Sequence, residues 1–147
     1  MVAYEIIPFN EEHLRSIKLQ PQQDGLGSLV DIWDDLDFSH MATLGYSVTI
    51  SMNKKPVIAM GVQPIWVGRA ICWFFGDTSL ADASRRERVA LMRCATEMAG
   101  PFFDEIQKEP EYRRIEATAR LGFKQAHQFL RMLGFRREGF LRKYDLE

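Results

Sequence analysis

Three arginines, Arg85, Arg86 and Arg88, crowd the start of a segment whose apolar residues Leu91, Cys94, Ala95, Met98, Phe102 and Ile106 recur at helical spacing. Cations in a first turn oppose the helix dipole, at a cost of up to ~1 kcal/mol each when exposed. A bound polyanion would justify the placement, because charge-assisted arginine–phosphate bonds contribute more than that penalty. The plainer reading is a solvated helix end offset by Asp82 and Glu87. Further on, Arg114, Glu116, Thr118 and Arg120 alternate with Ile115, Ala117 and Ala119, so a strand here puts Glu116 and Thr118 on one face. Glu116 is then a candidate base or positioning carboxylate, against an ordinary cross-strand ion pair with an arginine. His127 offers an imidazole on the following helical segment, and Tyr144 a phenol near the end of the chain; the bland alternatives are a surface histidine and a packed tyrosine. Cys72 and Cys94 sit in apolar-patterned segments and fit no CxxC or Cys/His metal spacing, so they read as buried thiols. No Ser-His-Asp order, metal-ligand cluster, Walker loop or dinucleotide fingerprint is present, which argues against hydrolases, metalloenzymes, nucleotidases and nicotinamide enzymes.

The elements that must position these groups follow from pattern and punctuation. Val2–Ile7 reads as a strand closed by Pro8, and Asn10 stands as the N-cap of a helix that fades near Leu19–Pro21. A short acidic helix follows, with Leu29, Val30, Ile32, Trp33 and Leu36 inward and Asp31, Asp34, Asp35 and Asp37 outward; Ser39 caps a further turn or two through Leu44. Tyr46–Met52, Pro56–Trp66 and Ala70–Phe75 then form an antiparallel meander, turning at Asn53-Lys54-Lys55 and Val67-Gly68-Arg69. Asp82 or Ser84 caps a long helix running to about Gln107, where Gly100-Pro101 should break or kink it. Tyr112–Thr118 is the next strand, Phe123–Leu133 a helix ended by Gly134 in a left-handed conformation, and Phe135–Tyr144 a last strand. Trp33, Trp66, Trp73 and Phe74-Phe75 read as core or interface mass.

At 147 residues, 46% hydrophobic and 27% charged, the chain suits one compact domain spanning 1–147. Polar residues interrupt the longest uncharged stretch, Phe38–Asn53, so no membrane span is expected, and the N-terminus lacks an export pattern. A cytoplasmic location is the default. Charge is uneven: two basic residues stand against eight acidic ones before residue 51, and nine against four after residue 111. The basic residues are spread through strand and helix patterns, which points to neutralisation across the fold and away from nucleic acid.

The order strand, two helices, three-strand meander, long helix, strand, helix, strand, closing on Leu133-Gly134-Phe135 and Glu138-Gly139, resembles the GNAT superfamily of acyl-CoA-dependent N-acyltransferases. Cys72-Trp73-Phe74-Phe75-Gly76-Asp77-Thr78 and the Phe129-Leu130 to Gly134-Phe135 ending look, more narrowly, like GNAT-like proteins of tailed bacteriophages, which include internal virion components. The resemblance implies an α/β fold with a mixed, mostly antiparallel sheet, helices on both faces, and a V-shaped opening between Ala70–Phe75 and Tyr112–Thr118. It implies acetyl-CoA as cofactor and an amine as acceptor, with the diphosphate held between the fourth strand and the long helix, here by Gly76, Thr78, Ser84, Arg85, Arg86 and Arg88. Glu116, His127 and Tyr144 would be the groups available for proton transfer to and from the amine and thiolate.

The departures define a second expectation. The family's loop carries Arg/Gln-x-x-Gly-x-Gly/Ala, whereas Gly76–Ser84 has one glycine and two acids. The family's Asn and its thiolate-protonating Tyr fall on Phe123 and Leu130, neither of which moves a proton. A catalytically silent structural or interaction protein, such as a virion component, is therefore the alternative to an N-acetyltransferase. The single C-terminal strand before Glu147, where the family has a hairpin, would leave a sheet edge for a homodimer or a larger assembly.

Overall fold

The computed structural model describes residues 3–18, 45–119 and 122–139. Strand β1 (Tyr4–Pro8) leads into helix α1 (Glu11–Ser16), then β2 (Tyr46–Met52), β3 (Lys55–Trp66) and β4 (Arg69–Gly76). A 3-10 turn (Thr78–Asp82) precedes the long helix α2 (Arg85–Ile106), and a second (Pro110–Tyr112) precedes β5 (Arg114–Glu116) and helix α3 (Lys124–Met132). The sheet runs in the order β1-β2-β3-β4-β5, antiparallel throughout except for the parallel pair β4–β5. This is the mixed, mostly antiparallel α/β arrangement expected, in the expected order. The predicted helices within 29–44, with Trp33, lie outside the described residues.

Strand alternation divides the core between the two faces. Ile50, Met60, Val62, Ala70 and Cys72 point to α2 and α3, where they pack with Ala95, Ala99, Ile106 and Leu133. The opposite face carries Phe9, Leu14, Ile17 and Ala59, with Trp73 and Phe75 against them. Asn10 caps α1, its side chain accepting from Glu12 N–H at 3.0 Å. The His13 ring returns to Asn10 N–H at 3.2 Å and to the buried Thr49 hydroxyl at 2.8 Å, fixing α1 to β2. The β2–β3 turn places Asn53 and Lys54 at φ 50° and 68°, the twist that a two-residue hairpin needs.

Several elements differ from expectation. Helix α1 stops at Ser16, because Ile17 turns extended and buries its side chain in the second core. Pro101 does not break α2, which continues to Ile106; one lost backbone bond is outweighed by the packing of Phe102, Phe103 and Ile106 beyond it. The strand expected over Tyr112–Thr118 contracts to Arg114–Glu116, since Pro110–Tyr112 coils into a 3-10 turn that buries Tyr112. Residues 135–139 form no strand, although Phe135 packs edge-on against Phe103 at 5.7 Å, and the rest of that predicted strand lies outside the described residues. Trp66 is 75% exposed on the β3–β4 turn and so is not core. No helix among the described residues is long and apolar enough to cross a membrane.

Candidate functional site

The parallel pair β4–β5 is short. Arg69, Ala70 and Ile71 face Arg114, Ile115 and Glu116, and the ladder between the two strands ends there, while β4 continues to Gly76. Pairing thus takes the N-terminal end of β4 and the whole of β5. Beyond the ladder, Phe74 of β4 meets Phe129 of α3 at 5.4 Å between ring centroids.

Glu116 ends β5 and the β4–β5 ladder, on the same face as Arg69 and Arg114. Its carboxylate takes a close hydrogen bond from Arg69 Nε and lies 3.4 Å from Arg114 Nε; Arg114 in turn clasps Glu138. The Arg69 hydrogen bond is the main reason that its pKa is lowered, with Arg114 adding to it against the opposing effect of burial. A carboxylate held this way accepts a proton less readily, which disfavours the role of base and favours that of a structural link between β4 and β5. His127 sits on α3, its Nδ1 3.5 Å from the Arg137 guanidinium. No hydrogen bond or ion pair joins it to Glu116. Tyr144 lies outside the described residues. Phe123 and Leu130, the positions where a proton donor or polar anchor would stand, are 6% and 9% exposed and belong to the apolar interior.

The segment from β4 to α2 holds Gly76, Thr78, Ser84 and the arginines. Several of its backbone donors are engaged by the chain itself. Asp77 N–H donates to Val57 O at 2.8 Å, Thr78 N–H to Lys18 O at 2.8 Å, and Leu80 N–H to Asp77 O at 3.1 Å. Ser84 and Glu87 form a reciprocal capping box: Ser84 N–H donates to Glu87 Oε2 at 2.8 Å, and Glu87 N–H to Ser84 Oγ at 3.1 Å. The helix N-terminus therefore already carries a carboxylate.

Asp77 completes the arrangement, and sequence reading missed it. Its side chain is buried, with the residue 1% exposed; Oδ1 accepts from Lys18 N–H at 2.9 Å, Oδ2 from Ser79 N–H at 3.0 Å, and Lys55 Nζ stands 3.5 Å from Oδ2. Burial would raise its pKa, yet hydrogen bonds from Ser79 and Lys18 and the Lys55 charge outweigh it and lower it. The signal available in the sequence was Gly76-Asp77-Thr78-Ser79, an Asp able to accept from the backbone two residues on.

A diphosphate docks on such a loop through free N–H groups and the helix terminus. Here those of Thr78, Ser79, Leu80, Ser84 and Glu87 already have acceptors, and Asp77 and Glu87 present carboxylates where phosphate charge would lie. Those N–H groups are closed to a diphosphate, whereas the N–H groups of Arg85 and Arg86, the first two residues of α2, take no part in these bonds. The side chains of Arg85, Arg86 and Arg88 remain exposed beside it. Among the described residues no group of three or more His, Cys, Asp or Glu could hold a metal ion.

No family model and no curated protein matches the chain. Solved structures do. The ribosomal-protein-S5-alanine acetyltransferase from Vibrio fischeri superposes with a TM-score of 0.54 at 15% identity, covering 96% of this chain and 84% of that one. The aminoglycoside antibiotic 6′-N-acetyltransferase from Acinetobacter baumannii gives a TM-score of 0.50 at 14% identity, with 97% of each chain covered. The chain shares the fold of these acetyltransferase structures.

Proposed function

We propose that this chain uses the acetyltransferase fold as a scaffold for an interaction or structural role, and does not turn over an acyl-CoA. The observation that supports this reading is the β4–α2 loop, in which Asp77 and the Ser84–Glu87 box occupy several of the donors a diphosphate could use. Two further features agree with it: Glu116 is neutralised by arginines, and Phe123 and Leu130 are packed into the core. A virion component is the concrete form suggested by the likeness of residues 72–78 and 129–135 to phage proteins.

The second reading, an N-acetyltransferase acting on an amine, is supported by the fold and by the short parallel ladder between β4 and β5, beyond which β4 continues to Gly76. In that reading Arg85, Arg86 and Arg88 would hold the cofactor's phosphates through side chains alone. One experiment separates the two. A ligand with a Kd of about 10 μM, supplied at about 1 mM, stabilises a fold by about 2.7 kcal/mol. For a domain of this size that raises Tm by roughly 5–10 °C. The scaffold reading expects no such shift with acetyl-CoA in low salt; a shift of that size overturns it in favour of the transferase.

A further inference from the structure

The solvent face of α2 carries a charge pattern of which the second reading uses only Arg86. Arg86, Arg93, Glu97 and Asp104 are exposed and are spaced by seven, four and seven residues. At 100° per residue all four fall within about 40° of one another around the helix. They form one line along α2, basic in its N-terminal half and acidic in its C-terminal half, the reverse of what the helix dipole favours. None of the four makes an ion pair with a described residue.

The line is also a palindrome of opposite charges centred on Ala95: Arg93 and Glu97 lie two residues either side of it, Arg86 and Asp104 nine either side. Laid antiparallel on a copy of itself about a two-fold axis at Ala95, the helix sets Arg86 against Asp104 and Arg93 against Glu97, and the symmetry repeats each pair. In the same register Val89, 49% exposed, comes level with Pro101 of the second copy and one residue from its Gly100. Nothing lies within 4 Å of where a Gly100 side chain would begin, so the valine has room.

We propose that the exposed face of α2 is a self-association surface, and that its partner is a second copy of this chain packed antiparallel about Ala95. The self-complementary charge line selects that partner, because a helix of uniform charge would repel its own copy while this one attracts it only in the antiparallel sense. With one exposed valine and mostly ionic pairs, the contact is a reversible one that salt weakens. Arg93, Glu97 and Asp104 are remote in sequence from the β4–α2 loop, so the central Arg93–Glu97 pairs stand apart from any cofactor, and only Arg86 is shared with the second reading.

The test is a charge swap read by sedimentation equilibrium. Association is measured at about 0.01 M and about 1 M salt, where screening lengths are about 30 Å and about 3 Å. The full chain should be dimeric at the lower salt and dissociate at the higher. Arg93→Glu or Glu97→Arg alone turns two attractive pairs repulsive, and each should weaken the dimer about tenfold or more. Combining the two restores opposite charges across the axis and should bring the affinity back to within about threefold of the original. Arg93 and Glu97 are also four apart within one helix, but that contact moves stability, not oligomeric state. Arg86→Asp with Asp104→Arg supplies the same comparison should either first variant fail to fold. A full-length chain that stays monomeric at low salt overturns the proposal. So does a dimer indifferent to the single reversals, or one that the swap does not rescue.

Discussion

Removing the Asp77 carboxylate tests the β4–α2 loop directly. Its two oxygens accept separate backbone donors, Lys18 N–H at 2.9 Å and Ser79 N–H at 3.0 Å, at a residue 1% exposed. Asp77→Ala leaves both donors without an acceptor, and a buried group so stranded costs about 1–3 kcal/mol. Two of them, partly relieved by water entering the space, give an expected loss of about 3 kcal/mol, a large share of the roughly 5–15 kcal/mol that holds an ordinary domain together. Asp77→Asn keeps one acceptor oxygen and should cost about half as much. Urea unfolding of the three proteins at neutral pH reads these differences. The pH dependence adds a second check. Because the folded-state pKa of Asp77 is lowered, the unfolded chain binds the proton more tightly. The carboxylate's contribution is therefore complete above its unfolded pKa and is lost as pH falls through the folded one. The gap between the original protein and Asp77→Asn should close as the solution is acidified below about pH 4. An Asp77→Ala loss smaller than about 0.5 kcal/mol would refute the argument that this carboxylate organises the loop, as would a gap that stays constant on acidification.

Gly134 has φ +101° with nothing within 4 Å of a Cβ built there, so Gly134→Ala should cost about 1 kcal/mol from backbone strain alone, measured by urea unfolding. Gly61→Ala meets a different obstacle: its Cβ would stand 2.6 Å from the Trp73 ring and 2.7 Å from Tyr46 O, so a loss of about 1–3 kcal/mol and a changed tryptophan emission are expected. Burial pushes the Cys72 thiol up to about 12, so the folded protein should resist alkylation at Cys72 at mildly alkaline pH and react once urea unfolds it, as peptide mass mapping would show.

What could be read in the sequence is what local pattern encodes. The meander was visible because alternation in Tyr46–Met52 and the following strands is interrupted by turn residues, and Asn10, Ser84 and Gly134 announce helix ends through side-chain or backbone chemistry of their own. The extent of β5 was not visible. Ile115 and Ala117 alternate correctly, yet the strand is limited by the 3-10 turn that buries Tyr112 and by a partner, β4, that offers only Arg69–Ile71 to it. Pro101 misled for the opposite reason, since a local penalty was overridden by the apolar residues beyond it. The candidate site was the least legible part. The cross-strand arginine pair was an open alternative for Glu116 from strand alternation, but Asp77 and Lys18 are 59 residues apart, and nothing in a linear pattern says that this carboxylate will be spent on that backbone donor.

The same contacts explain how the β4–α2 loop is held by the chain itself. In a fold whose loop receives a diphosphate, the strand end and the helix start would be tied together by the ligand's charge. Here the tie is internal: Asp77 joins the end of β4 to the backbone after α1, and Glu87 closes the first turn of α2. The apolar interior follows the same logic. Phe129 packs on Phe74 and Phe135 on Phe103, so α3 is fixed to β4 and α2 by ring contacts, with Phe123 and Leu130 buried among apolar side chains. A phenol or amide at either position would need a hydrogen-bond partner in that interior or lose free energy. Phenylalanine and leucine avoid the requirement and add burial worth about 1.5–3 kcal/mol each when complete. At Asp77, Phe123 and Leu130 this chain thus carries residues whose buried contacts favour the fold.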